Sequence, residues 1–420
     1  MKEAQLEFEK NLQISESEYQ KFIETKRNEI VQFHLENNTF YKNLVGNTDV
    51  SDWNNLPILT KKNLQVPLVE RLSKGFEKNI YINKTSGSSG DPFIFAKDKF
   101  SHALTWYSNI YRFVWFGIDF NTSLQARFYG IPLDKFGYYK ERFKDFLAKR
   151  YRFPIFDLSD VVLEEVLKKF KQKKFDYING YTSSIVLFAK FLQSKNIVLK
   201  DVCPTLKVCM VTSEMLFDAD KILLEKYLGI PIVNEYGASE LDLLAFQNPN
   251  GEWQVNTETL FIEILDENNK PIPNGTSGKI VVTSLYNKAH PFIRYEIGDI
   301  GVLAENSTKK KPILKQLIGR TNDVAILPSG KKSPGLTFYY VTKSIIEDDG
   351  NVKEFVIKQT QLDHFEIDYV SEKTLSSAQI DEIQKAIDLY LEPNLKFTYT
   401  RKEFLTRSNR GKLKQFTSLL

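Results

Sequence analysis

The sequence predicts an α/β fold: a large N-terminal domain of mixed and parallel sheets with helices, then a small α+β domain. Three observations predict it. Between Phe175 and Gly237, apolar runs alternate with amphipathic stretches in strand–helix–strand order. That order implies parallel strands joined by right-handed crossovers. A polar loop, Lys84-Thr-Ser-Gly-Ser-Ser-Gly-Asp-Pro92, sits between two short alternating runs, Ile80/Ile82 and Phe93/Phe95. The last hundred or so residues mix alternating segments with one helix, the pattern of a small α+β domain. The boundary falls near Arg320, giving domains 1–319 and 320–420.

In order along the chain, Lys2 to about Leu44 is helical, with Leu12, Tyr19, Phe22, Ile23, Ile30 and Phe33 at helical spacing. Pro57 breaks that pattern, and Thr60 is placed to cap a short helix. After the Ser/Gly loop comes a helix from about Phe100 to Phe116. Asp176–Gly180 is a short strand ending in a glycine turn, and Thr182–Gln193 an apolar helix. Leu206–Val211 is a buried strand, Asp218–Leu228 a helix closed by Gly229, and Pro231–Asn234 another strand. Phe261–Leu265 and Lys279–Thr283 flank a Pro/Asn/Gly-rich turn. Near the end, Phe365, Ile367 and Tyr369 share one strand face, and Ser377–Tyr390 is a helix.

Composition excludes several function classes. The 420 residues suffice for two or three domains. Lys+Arg 57 against Asp+Glu 53 leaves +4, too little to argue for nucleic acid or an anionic membrane. No apolar stretch reaches membrane-spanning length, and the N-terminus has no signal-peptide core, so a cytoplasmic protein is expected. The two cysteines, Cys203 and Cys209, lie in or beside an apolar run and are expected as buried thiols.

Parallel strands put the turns after them on one sheet edge, where open α/β sheets bind ligands. Three turns are expected there: Gly180–Ser183, Thr212-Ser213-Glu214, and Glu235-Tyr236-Gly237-Ala238-Ser239-Glu240. The Ser/Gly loop adds backbone N–H groups and hydroxyls that suit an anion, above all a polyphosphate. A generic loop of this composition is also simply a hairpin turn. It is not a Walker A loop, since no Gly-Lys-Ser/Thr follows, and no Gly-x-Ser-x-Gly elbow is present.

In this order the motifs resemble those of the adenylate-forming superfamily: acyl-CoA synthetases, luciferases and nonribosomal-peptide adenylation domains. Thr85–Pro92 resembles its phosphate loop. Tyr236-Gly-Ala-Ser-Glu240 resembles its Tyr-Gly-x-Thr-Glu motif, and Tyr295-Glu-Ile-Gly-Asp299 its Tyr-x-Thr-Gly-Asp motif. Gly319-Arg320 resembles the hinge motif and Gly411-Lys412 the terminal lysine motif. Phe40-Tyr-Lys-Asn43 with Leu56-Pro-Ile-Leu-Thr-Lys61 is similar to the phenylacetate–coenzyme A ligase-like branch, many of whose members belong to capsule and surface-polysaccharide gene clusters.

The resemblance implies ATP-dependent activation of a carboxylic acid as an acyl-adenylate, with release of pyrophosphate. The acyl group then passes to a thiol of coenzyme A or of carrier-protein phosphopantetheine, or to an amine on a sugar or amino acid. It implies that Thr85, Ser86, Gly87, Ser88, Ser89 and Gly90 hold phosphates. Tyr236 stacks on adenine, Asn234, Glu235 and Gly237 surround the base, and Ser213 and Glu214 form the opposite wall. Ser239 reaches the α-phosphate, and Glu240 binds Mg²⁺. Asp299 accepts from the ribose hydroxyls, and Arg320 adds a ribose or phosphate contact. Lys412 is the catalytic lysine, carried in by a mobile C-terminal lid domain, and the choice between it and Lys414 stays open. Pro328 departs from the basic strand common after the hinge motif, so the hinge residue is open too.

Leu241, Leu243, Leu244 and Phe246 are expected in the core rather than in an acyl pocket. A non-catalytic nucleotide-binding scaffold would be marked by loss of the loop glycines, Glu240, Asp299 or Lys412, and all are present. A membrane-surface transferase needs a basic amphipathic helix, and the N-terminal helix, which mixes acids and bases, does not supply one.

Overall fold

Hydrophobic periodicity sets the elements, and a computed structural model shows how they assemble. It describes residues 1–85, 93–130, 135–153, 155, 157–320, 324–334, 352–407 and 413–420. The chain forms two units: Met1–Ser123 with Val233–Leu317, and Leu124–Ile232 with Ile318–Leu420. Among the described residues no helix is long and apolar enough to cross a membrane.

The first unit begins with three helices, Lys2–Gln13, Glu16–Asn37 and Thr39–Val45. Their breaks follow local chemistry. Ser15 donates its N–H to the Glu18 carboxylate at 3.1 Å. Asn38 accepts from the Tyr41 N–H at 2.8 Å. Thr60 does not cap a helix. Its N–H and hydroxyl both donate to Asn63 Oδ1, at 2.8 and 2.7 Å, and a 3-10 turn of only Asn63–Gln65 follows.

The Ser/Gly loop lies on a hairpin, as expected: Tyr81–Lys84 pairs antiparallel with Ile94–Lys97. The first strand is exposed throughout, so Ile82 does not face a core. The second buries Phe95 and Lys97, with Phe93 buried just before it. The next helix, Lys99–Val114, is capped by Asp98, which accepts from the Ser101 N–H at 2.8 Å. Leu260–Leu265 and Ser277–Ser284 pair antiparallel across the expected turn, and Ser277–Ser284 pairs with Tyr295–Leu303.

One expected loop is a strand. Ile232–Ala238 runs through Glu235, Tyr236 and Gly237 and turns back into Asp242–Gln247, its antiparallel partner. The reason is local. A bulge at Tyr236/Gly237 brings Gly237 so close to the returning chain that a Cβ there would sit 2.6 Å from the Asp242 carbonyl oxygen. Leu241, Leu243, Leu244 and Phe246 are all buried, as core residues should be.

In the second unit, Arg150–Phe153, Gln125–Phe128, Tyr177–Tyr181 and Val208–Thr212 lie side by side and parallel. Helices Asp160–Gln172, Thr182–Ser194 and Asp218–Leu228 accompany them, the last closed by Gly229 at φ 69°. Their core stacks Phe128, Phe153, Phe170 and Phe188. Cys203 and Cys209 are buried free thiols. The C-terminal part is a four-stranded sheet in the order Lys396–Lys402, His364–Ser371, Val352–Gln361, Phe416–Ser418, with the helix Ser377–Tyr390. Phe365, Ile367 and Tyr369 face its core, which also takes in Phe217.

Candidate functional site

The expected site residues fall into two sets, one in each unit. In the first unit, the Ser/Gly loop is closed at its neck by Thr85. The Thr85 N–H donates to the Phe93 carbonyl, and the Phe93 N–H donates to Thr85 Oγ1, both at 3.0 Å. Ser86, Gly87, Ser88, Ser89 and Gly90 lie outside the described residues. Phe93 anchors the neck. Its ring stands edge-on to Tyr295 with centroids 6.3 Å apart, in a cluster that also holds Leu241 and Leu244.

Tyr295 links that cluster to Glu240. Its phenol donates to Glu240 Oε1 at 2.9 Å, and Glu240 is only 5% exposed. From the same Tyr295–Leu303 strand, Asp299 turns to Tyr236, whose phenol donates to Asp299 Oδ2 at 2.7 Å. Tyr236 is half-buried, edge-on to Trp253. Asn234 donates its N–H to Gln247 Oε1 at 3.2 Å. Glu235 is half-buried, while Gly237 and Ser239 are exposed. Two hydrogen bonds thus join the Tyr236–Glu240 and Tyr295–Asp299 motifs, and Phe93 ties both to the loop neck.

Sequence reasoning missed Lys97. It is 3% exposed and ion-paired with Asp242, which also accepts from Thr105 Oγ1 at 2.8 Å. Burial pulls the Lys97 pKa down to about 7, although the Glu240 carboxylate acts to raise it. Asp242 sits at φ 63°, so the pair holds a strained corner of the hairpin. A signal was there: Phe93, Phe95 and Lys97 share one strand face, and two of the three are plainly core residues.

In the second unit, Tyr181 pairs with Thr212, so the turns after them leave one sheet edge as expected. Ser213 is exposed at φ 70°. The Glu214 carboxylate accepts from the Ser183 N–H at 2.7 Å and from the Leu413 N–H at 3.0 Å. Leu413 is therefore bound to this turn, and Lys412, which precedes it in the sequence, lies outside the described residues. Arg407 reinforces the contact, reaching Ser183 Oγ at 3.2 Å and Glu354 Oε2 at 2.5 Å. Arg320 ends the strand Leu314–Arg320. Lys414 is half-buried.

No protein-family model matches the sequence. The chain is 25% identical over 313 residues to Protein CapK of Staphylococcus aureus, covering 70% of this chain and 66% of CapK. It is 24% identical over 173 residues to phenylacetate-coenzyme A ligase of Aromatoleum evansii, 37% of this chain and 38% of that one. The matches thus span less than two thirds of either relative. Among solved structures it is similar to 2-hydroxyisobutyryl-CoA ligase in the postadenylation state, with a TM-score of 0.72 and 15% identity over 93% of this chain and 87% of the ligase. The chain thus shares the fold of that ligase over nearly its whole length.

Proposed function

We propose that the protein is an ATP-dependent ligase that activates a carboxylic acid as its adenylate and passes the acyl group to a thiol of coenzyme A or of a carrier-protein phosphopantetheine. The observation that carries this reading is the pair of hydrogen bonds, Tyr236 to Asp299 and Tyr295 to Glu240, which holds two acids in fixed orientation beside the loop neck. Phosphate chemistry of this kind needs placed donors and charges more than a strong base.

In this reading Thr85 to Gly90 hold the phosphates, and Asn234, Glu235, Tyr236 and Gly237 receive the adenine. Ser213 and Glu214 are assigned to the same nucleotide. Asp299 accepts from the ribose, with Tyr236 orienting it, and Arg320 adds a ribose or phosphate contact. Ser239 donates to the α-phosphate. Lys412 neutralises charge that develops on that phosphate, carried there by residues 320–420 acting as a lid. Two observations support the lysine's place: Leu413 is bound by Glu214, and Arg407 is held by Ser183 and Glu354.

The donor set fits Mg²⁺ brought in with the nucleotide. Among the described residues no group of three or more His, Cys, Asp or Glu could hold a metal. Glu240 is one buried carboxylate with one oxygen oriented by Tyr295. One or two carboxylates are what phosphate-bound Mg²⁺ usually takes. The ion, when bound, offsets charge on the phosphate oxygens.

A cytoplasmic setting fits two buried free thiols. A place in surface-polysaccharide assembly rests on the family resemblance. ATP–pyrophosphate exchange over a panel of carboxylic acids tests the first half-reaction. Exchange with at least one acid is expected, and none with any acid would overturn the reading.

A further inference from the structure

The helix Lys135–Leu147 takes no part in the sites above. Its inner face is committed to the strand Arg150–Phe153. Arg142 Nη1 donates to the Arg152 carbonyl at 2.8 Å. Asp145 accepts from Arg152 at 2.9 and 3.0 Å and lies 3.2 Å from Arg150 Nε. Glu141 accepts from Arg152 at 2.9 Å.

From Tyr139 onward the other face is apolar and exposed. Tyr139 is 70% exposed, Phe143 63%, Phe146 77% and Leu147 66%. At about 100° per residue, these four fall in an arc about 100° wide, bordered by Lys140 and Lys144. Both lysines are exposed, as is Lys149 just beyond. Lys144 also reaches Glu141 at 2.7 Å, but both acids of the helix point their charge toward arginines of the neighbouring strand. The exposed surface is thus aromatic side chains with lysines at their edge. Large exposed apolar patches of this kind mark an interaction site.

We propose that this helix lies on an anionic lipid surface. Its aromatic and leucine side chains enter the boundary between headgroups and acyl chains, and its lysines meet lipid phosphates. The physical case against other occupants is direct. The four side chains project from a convex helix, whereas a peptide or small ligand needs a groove. A second copy across a twofold axis would set lysines against lysines, and the two described acids of the helix, Glu141 and Asp145, are already paired with arginines. The proposal supplies, at 135–147, the basic amphipathic helix that the N-terminal segment lacks. It does not rest on the ligase chemistry.

The test is vesicle sedimentation of the full chain, with phosphatidylcholine alone and with phosphatidylcholine containing phosphatidylglycerol. Binding is expected to the second only, and to be lost at about 0.5 M salt. Lys140→Gln/Lys144→Gln should weaken it about fivefold per lysine. Phe143→Ser/Phe146→Ser should abolish it with an unchanged circular dichroism melt; Phe146→Ser alone replaces it if the double variant fails to fold. No sedimentation with anionic vesicles overturns the proposal, as does binding unaffected by both double substitutions. So would a concentration-dependent dimer, or capture of an acidic carrier protein, lost in the serine variant while vesicles are ignored.

Discussion

The Tyr236 phenol donates to Asp299 Oδ2 at 2.7 Å, joining two motifs that lie far apart in the sequence. A hydrogen bond to a charged acceptor is worth about 1.5–3 kcal/mol. Tyr236→Phe keeps the ring and removes only that bond. In pyrophosphate exchange the KM for ATP should rise about tenfold with kcat little changed, because Asp299 loses its orientation rather than its charge. An unchanged KM would show that Asp299 needs no help from Tyr236.

Glu240→Gln keeps the shape and removes the charge. Exchange should fall about 10²–10³-fold and recover in part at high Mg²⁺ if this carboxylate holds the ion. Tyr295→Phe, which only frees Glu240 Oε1, should cost far less, on the order of tenfold. Equal losses in the two variants would point to a structural role for Glu240.

Lys412→Ala should reduce exchange about 10²–10³-fold, and Lys414→Ala should not. If the two exchange places in this comparison, Lys414 is the catalytic residue. Full activity in both would remove the C-terminal lysines from the adenylation step.

Asp242→Asn leaves the buried Lys97 ammonium without its ion-pair partner. Removing one member of a buried pair costs up to about 3–5 kcal/mol, and less here because Lys97, with its pKa already pulled down to about 7, can release its proton. Thermal unfolding at neutral pH should shift down by several degrees, and Lys97→Met/Asp242→Asn should restore much of the loss. A melt unchanged by Asp242→Asn would mean that the pair contributes nothing.

His34 is buried, with Nδ1 3.1 Å from Ser73 Oγ and Nε2 3.0 Å from the Asn287 carbonyl. Burial lowers its pKa from 6.5 to about 4, and His290 is pushed down by burial and by the neighbouring Arg71 cation. The folded state therefore binds fewer protons than the unfolded chain. The stability from a neutral His34 is complete above about pH 6.5 and is lost as pH falls toward 4, roughly 3 kcal/mol for this group. Denaturant melts across that window should show the loss, and His34→Gln should flatten it. An equal slope in the variant would assign the acid sensitivity elsewhere.

Much of this was legible in the chain. The helices Asp218–Leu228 and Ser377–Tyr390 end where the apolar period ends, at Gly229 in one case. Phe365, Ile367 and Tyr369 alternate because one strand face is buried. The motif order named the expected site residues, and hydrogen bonds join two of those motifs, Tyr236 to Asp299 and Tyr295 to Glu240. The Tyr236 segment misled because Gly237 and Ser239 have turn chemistry, whereas antiparallel pairing with Asp242–Gln247 made residues up to Ala238 a strand. The helix Lys135–Leu147 went unnoticed because Tyr139, Phe143, Phe146 and Leu147 face outward, so its pattern promised no core.

By itself, then, the sequence determined the local elements, the fold class and the inventory of chemical groups, because periodicity, caps and turn residues act between near neighbours. Tertiary structure decided which charges are buried and paired. Lys97 is buried and paired because the fold set Asp242 against it, and Glu240 is an oriented acid because Tyr295 reaches it from a strand distant in sequence. Electrostatic strength depends on burial and separation, and neither quantity is written in the linear order of residues.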